Sequence, residues 1–167
     1  PVLGELGVVP LAAHLFIFYF GMLSMVTPPV ALAGYTAASI AGSGIMPTSF
    51  AAFRFALVGF TLPYMFVFEP ELLMMAADGS QPAWTAVARA LLLALAGLVP
   101  FAAAISGYLF APLPAWQRGL ALVAAALLLL PGPSIALAGT QLPAFDLAGL
   151  VALIAVLALN LAARRRT

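Results

Sequence analysis

The chain has 167 residues, of which 65% are apolar and 7% charged, and its mean hydropathy is +1.18. Too little polar surface remains to cover a soluble globule, which excludes that class. A net charge of +1 carried by Arg without any Lys excludes a nucleic-acid surface, and the lack of Cys removes disulfides, thiolate metal ligands and thiol catalysis.

An all-α polytopic membrane protein is what remains, and apolar length and punctuation divide it into spans. The first segment runs from about Gly7 to Ala41. As one straight helix it would be on the order of 50 Å long, against roughly 30 Å of hydrocarbon. It is interrupted at Thr27-Pro28-Pro29 and closed by the turn cluster Gly42-Ser43-Gly44. A second helix is predicted from about Thr48 to Phe68. The connection EPELLMMAADGSQPAW is too charged for hydrocarbon, and three further spans follow at about Trp84–Phe110, Trp116–Leu137 and Phe145–Ala163. The predicted fold is one discontinuous helix plus about four further transmembrane helices.

The break carries the chemistry. Proline lacks an N–H and clashes with the preceding turn, and a residue before proline is pushed out of the α region, so Thr27 and Pro28 are both biased against helix. Pro29 suits the first position of a new helix, PVALAGYTAASIA. Carbonyls around Ser24, Met25 and Val26 are thereby freed at membrane depth, where each unsatisfied group costs several kcal/mol unless protein or a wet cavity covers it. Ser24 and Thr27, three apart, add hydroxyl oxygens on one side. Broken helices of secondary transporters hold Na⁺ in this way, while the N-terminal dipole of the second half favours an anion. A structural proline kink is the alternative reading. Gly34, Ala38 and Gly42 recur every four residues and predict close approach of another helix.

His14 reads two ways: as a substrate or proton contact, or as an imidazole reaching headgroups or a neighbouring carbonyl near the interface. With no second His, no Cys and acids confined to polar connections, a catalytic or metal assembly is not expected, and the chain is read as no enzyme. Placing the closing triple Arg in the cytoplasm puts Arg118 and Arg54 there as well. Glu5, Glu69, Glu71 and Asp78 then fall outside, and Arg89 is the exception, a long side chain able to snorkel. Trp84 and Trp116 fall at interfaces. The opening PVLGEL, with neither an initiator Met nor the parts of a signal peptide, reads as the tail end of something longer.

PLAAHLFIFYFGMLSMVTPPVALAGYTAASIAG followed by FRFALVGFTLPYMFVFEPELLM resembles the C-terminal end of the large membrane subunit of tripartite ATP-independent periplasmic (TRAP) transporters, specifically the fused permeases that work with TAXI-type solute-binding proteins. The resemblance covers about the first 75 residues. It implies a Na⁺-coupled importer of organic acids in the bacterial inner membrane, fed by a periplasmic binding protein, with the rest of the permease upstream of Pro1. Where relatives read G-x-x-T-P-P-V, with the Gly carbonyl, the Thr and the residue after the prolines near a Na⁺, the matching positions here are Ser24, Thr27 and Val30; Ser keeps the carbonyl but has less backbone freedom. Two regions follow: 1–75, part of the permease, and 76–167, a membrane extension of about three helices. Na⁺ is the only cofactor implied, and the competing reading is a non-transporting membrane scaffold or assembly subunit.

Overall fold

The computed structural model describes residues 7–76, 78–132, 134–137 and 140–164. Glu5, Arg165 and Arg166, used above for orientation, lie outside them. The chain divides into two compact units, Pro1–Ala83 and Trp84–Thr167.

The first unit contains α1 (Pro10–Leu23), α2 (Leu32–Ala41), α3 (Ile45–Ala56) and α4 (Leu62–Phe68). Pro10 opens α1 where its missing N–H costs nothing. The aromatic run of α1 holds it against the end of the unit: Phe16 meets Tyr64 edge-on at 5.3 Å, Phe20 meets Phe60 at 5.9 Å, and Tyr19 meets Phe66 at 6.1 Å. Such tilted ring pairs each add roughly 0.5–1.5 kcal/mol beyond their buried area. Helix α2 pairs with α3 across the turn at Gly42, whose left-handed backbone (φ 61°) caps α2 with its N–H on Ala38 O. Pro63 supplies no N–H to Gly59 O, and the turn tightens to a 3-10 segment over Leu57–Thr61, where Leu62 N–H takes that carbonyl instead. Ile45–Phe68 nonetheless forms one apolar stretch of 24 residues, long enough to cross a membrane.

The second unit is an up-down-up bundle of α5 (Trp84–Ser106), α6 (Ala115–Leu129) and α7 (Ala144–Arg164). Its contacts are built from small residues. Ala90, Ala94, Gly97, Ala103 and Ala104 of α5 and Ala121, Ala124 and Ala125 of α6 are buried. A Cβ on Gly97 would come within 2.7 Å of Leu129 Cγ, and one on Gly149 within 2.6 Å of Leu128 Cγ. Dispersion between closely approaching backbones holds membrane helices together when lipid is as apolar as the side chains. Helices α5 and α7 are each long enough to span.

The expected span Trp116–Leu137 is shorter than predicted. Helix α6 ends at Leu129, about 22 Å after it starts. Leu130 is extended (φ −98°, ψ 138°) because Pro131 follows it. The remaining residues form an antiparallel hairpin, β1 (Ser134–Leu137) and β2 (Thr140–Pro143), with Leu137 opposite Thr140. Among the described residues the other named elements are helices. The span expected to reach Phe110 stops at Ser106, where Gly107 turns left-handed (φ 77°) and donates its N–H to Ala103 O at 2.8 Å.

Candidate functional site

The long first segment is two helices with a non-helical stretch between them. After α1 a 3-10 turn covers Ser24–Val26, and Thr27 is extended (φ −98°, ψ 118°). The Pro28–Pro29 peptide bond is cis. The new helix does not begin at Pro29 as the sequence suggests. Thr27 O accepts the N–H of Ala31 at 3.0 Å, closing a separate turn, and Ala31 is left-handed (φ 30°, ψ 45°), so α2 starts only at Leu32. A buried non-glycine residue in that region is strained, a feature that clusters at functional sites.

The prolines deny carbonyl oxygens their helical donors in the way their chemistry dictates. Ser24 O would be served by residue 28, a proline, and is taken by Thr27 N–H at 3.1 Å instead. Met25 O would be served by residue 29, also a proline, which has no N–H to give. The two hydroxyls spend their protons on their own helix, Ser24 Oγ donating to Gly21 O at 2.6 Å and Thr27 Oγ1 to Leu23 O at 2.8 Å. Their lone pairs remain available. Pro29 O accepts the phenol of Tyr35 at 2.7 Å. The break thus presents neutral oxygen donors without a carboxylate, the ligand type of a hard monovalent or weakly held cation. Among the described residues no cluster of His, Cys, Asp or Glu could hold a metal.

The other predicted residues are distributed around this point. Val30 is 53% exposed beside the break. Gly34 and Ala38 are buried, and Gly34 lies against Ser49 of α3, so close that a Cβ there would stand 2.8 Å from Ser49 Cα. Gly42 has a different part: it is an exposed cap where a Cβ would meet open space, and glycine suits it because the chain turns left-handed at that point. His14 is exposed, its Nδ1 2.7 Å from Pro10 O one turn back on the same helix.

Polar contacts in the second unit escaped the sequence reading. Asn160, wholly buried on α7, accepts the N–H groups of Phe110 and Ala111 at 3.0 Å each and donates to Ala111 O at 3.1 Å. Arg118 Nε donates to Ala104 O at 2.8 Å, placing a cation on the carbonyl end of α5. At the opposite end Arg89 pairs with Asp146 at 2.9 Å, which gives the orientation exception a counter-ion. The signal for Asn160 was present: a lone amide in LALNLAARRR, where an intramembrane polar group needs partners.

The first unit resembles a known family. Residues 1–79 match the family model described as Tripartite ATP-independent periplasmic transporter, DctM component. This stretch is similar to that component. The match takes in the aromatic clamp, the proline break and the α2–α3 pair, and it ends short of the second unit. No curated protein and no solved structure matches the chain. The similarity is to a membrane component of a transporter, and the described residues of this chain include three helices long and apolar enough to cross a membrane.

Proposed function

We propose that the chain is part of the permease of a secondary active, Na⁺-coupled transporter that imports an organic acid delivered by a TAXI-type periplasmic binding protein. In this reading α1 and α2 are the two parts of one interrupted crossing of the bacterial inner membrane. Alone neither is long enough: Pro10–Val26 and Leu32–Ala41 are both classed among the shorter apolar helices. Together, with the chain between them shielded by the upstream permease, they reach across. Na⁺ is held by the oxygens of Ser24 and Thr27 and the main chain from Met25 to Val30. His14 faces the outer interface, where a substrate contact is open to it. The C-terminus is cytoplasmic.

The single observation that carries this reading is the helix break at the proline doublet, which denies Ser24 O and Met25 O their helical N–H donors, inside the stretch that matches the DctM model. The experiment is solute uptake by the complete permease and its binding protein in liposomes, with and without a Na⁺ gradient. Na⁺-driven uptake supports the reading. Absence of any solute flux would favour the non-transporting scaffold, and flux driven equally by a proton gradient without Na⁺ would remove the ion assignment.

A further inference from the structure

Helices α5 and α7 both pack extensively on α6 and only sparsely on each other. Along the side where they part lies an open, almost wholly apolar groove of about 560 Å³ that follows α5 from Thr85 to Ala96 and is walled by Leu150 of α7. That length of helix is about 16 Å, close to half of the roughly 30 Å hydrocarbon thickness, which is the depth of one leaflet. Arg89 stands among the lining residues near the end of the groove where α5 begins. Its ion pair with Asp146 is asymmetric: the Arg side chain is 59% exposed and the Asp side chain 17%. Only Nη2 is bonded to the carboxylate. The outward pole of the pair is therefore positive, with guanidinium N–H groups left to donate.

We propose that this groove is a binding site for one anionic phospholipid, an acyl chain lying along Leu92, Leu93 and Ala96 and the phosphate received by Arg89. An apolar trough one leaflet deep, headed by a guanidinium at the interface, complements an amphiphile of that charge and length. Arg is suited to phosphate oxygens because its planar fork donates two parallel hydrogen bonds, and basic pockets between membrane helices recognise lipid headgroups in the same way. Asp146 holds the guanidinium in place at the mouth while remaining covered itself.

The test is native mass spectrometry of the full chain released from detergent with phosphatidylglycerol, with phosphatidylcholine, or with inorganic phosphate added as competitor. The wild type is expected to retain one phosphatidylglycerol in preference to phosphatidylcholine by about tenfold, a difference of roughly 1.4 kcal/mol. Arg89→Gln, which removes the headgroup contact, and Ala96→Trp, which fills the trough away from the ion pair, should each abolish the preference. Val123→Trp, on an exposed face of α6, should keep it and shows that added bulk alone is not the cause. Equal retention of the two lipids by wild type would overturn the proposal, as would wild-type behaviour of either groove variant. Displacement of the lipid by inorganic phosphate would also overturn it, since the chain would then contribute nothing.

Discussion

Replacing Gly34 tests the packing on which the break depends. A Cβ at this position would lie 2.8 Å from Ser49 Cα and 2.9 Å from Ser49 Cβ, with the Ser49 hydroxyl nearer still. Carbon atoms rest at about 3.5–4.0 Å, so even Ala forces α2 and α3 apart by on the order of 1 Å. The backbone atom cannot rotate away. Overpacking of this kind costs about 1–3 kcal/mol, and at roughly 2–4 °C per kcal/mol for a chain of this size Gly34→Ala should lower Tm by several degrees. Gly34→Leu inserts three more carbons into the same gap and should lose more than Ala does. Ser49→Gly clears the hydroxyl and Cβ from the opposing face and should partly rescue Gly34→Ala, with a coupling energy on the order of 1–2 kcal/mol in a double-mutant cycle. The assay is thermal unfolding of the purified chain in detergent. An unchanged Tm for Gly34→Leu would refute the reasoning, because that face would then meet lipid.

Three further outcomes follow from other parts of the chain. Asn160→Leu strips three hydrogen bonds from the loop at Phe110 and Ala111 and should cost on the order of 1–3 kcal/mol by the same unfolding assay, since the N–H groups of Phe110 and Ala111 lose their acceptor; a neutral result would show that water serves them. Cysteines introduced at Asp78 and at Thr167 should react with impermeant reagents from opposite sides of the membrane, Asp78 outside, and same-side labelling would overturn the span count. The Ser80 hydroxyl and backbone N–H, at 2.6 and 2.9 Å, hold the exposed Asp78 carboxyl below its ordinary range. A depressed folded-state value favours the native loop above the ordinary carboxylate pKa and ceases to do so as pH falls through the lowered one. Ser80→Ala should therefore raise the Asp78 pKa in an NMR titration.

How much of this was legible in the sequence depended on what kind of signal each feature leaves. Proline acts locally, through a missing donor and a steric clash, so the break at Thr27-Pro28-Pro29 could be read from three letters. Where α2 resumes could not, because the left-handed Ala31 is a product of the turn that closes from Thr27 to Ala31 and leaves no residue preference of its own. The same local rule applied at Pro131 would have ended α6 at Leu129, but the uninterrupted run ALLLL masked it. Of the small-residue stripe, Gly34 lies against Ser49 of α3 and Ala38 is buried, while Gly42 shares the spacing for another reason, its backbone angle. Long-range polar pairings are the least legible. Arg89 with Asp146 and Asn160 with the loop at Phe110 join residues far apart in sequence, and nothing in either neighbourhood names the other partner.

The most direct measurement is Na⁺-dependent solute uptake by the complete transporter in liposomes with Thr27→Ala beside wild type. Removing the Thr27 hydroxyl takes away one oxygen at the break and the bond to Leu23 O, so the apparent affinity for Na⁺ should fall by roughly tenfold or more while binding of solute to the periplasmic partner is unaltered. Uptake with an unchanged Na⁺ dependence in Thr27→Ala would contradict the account.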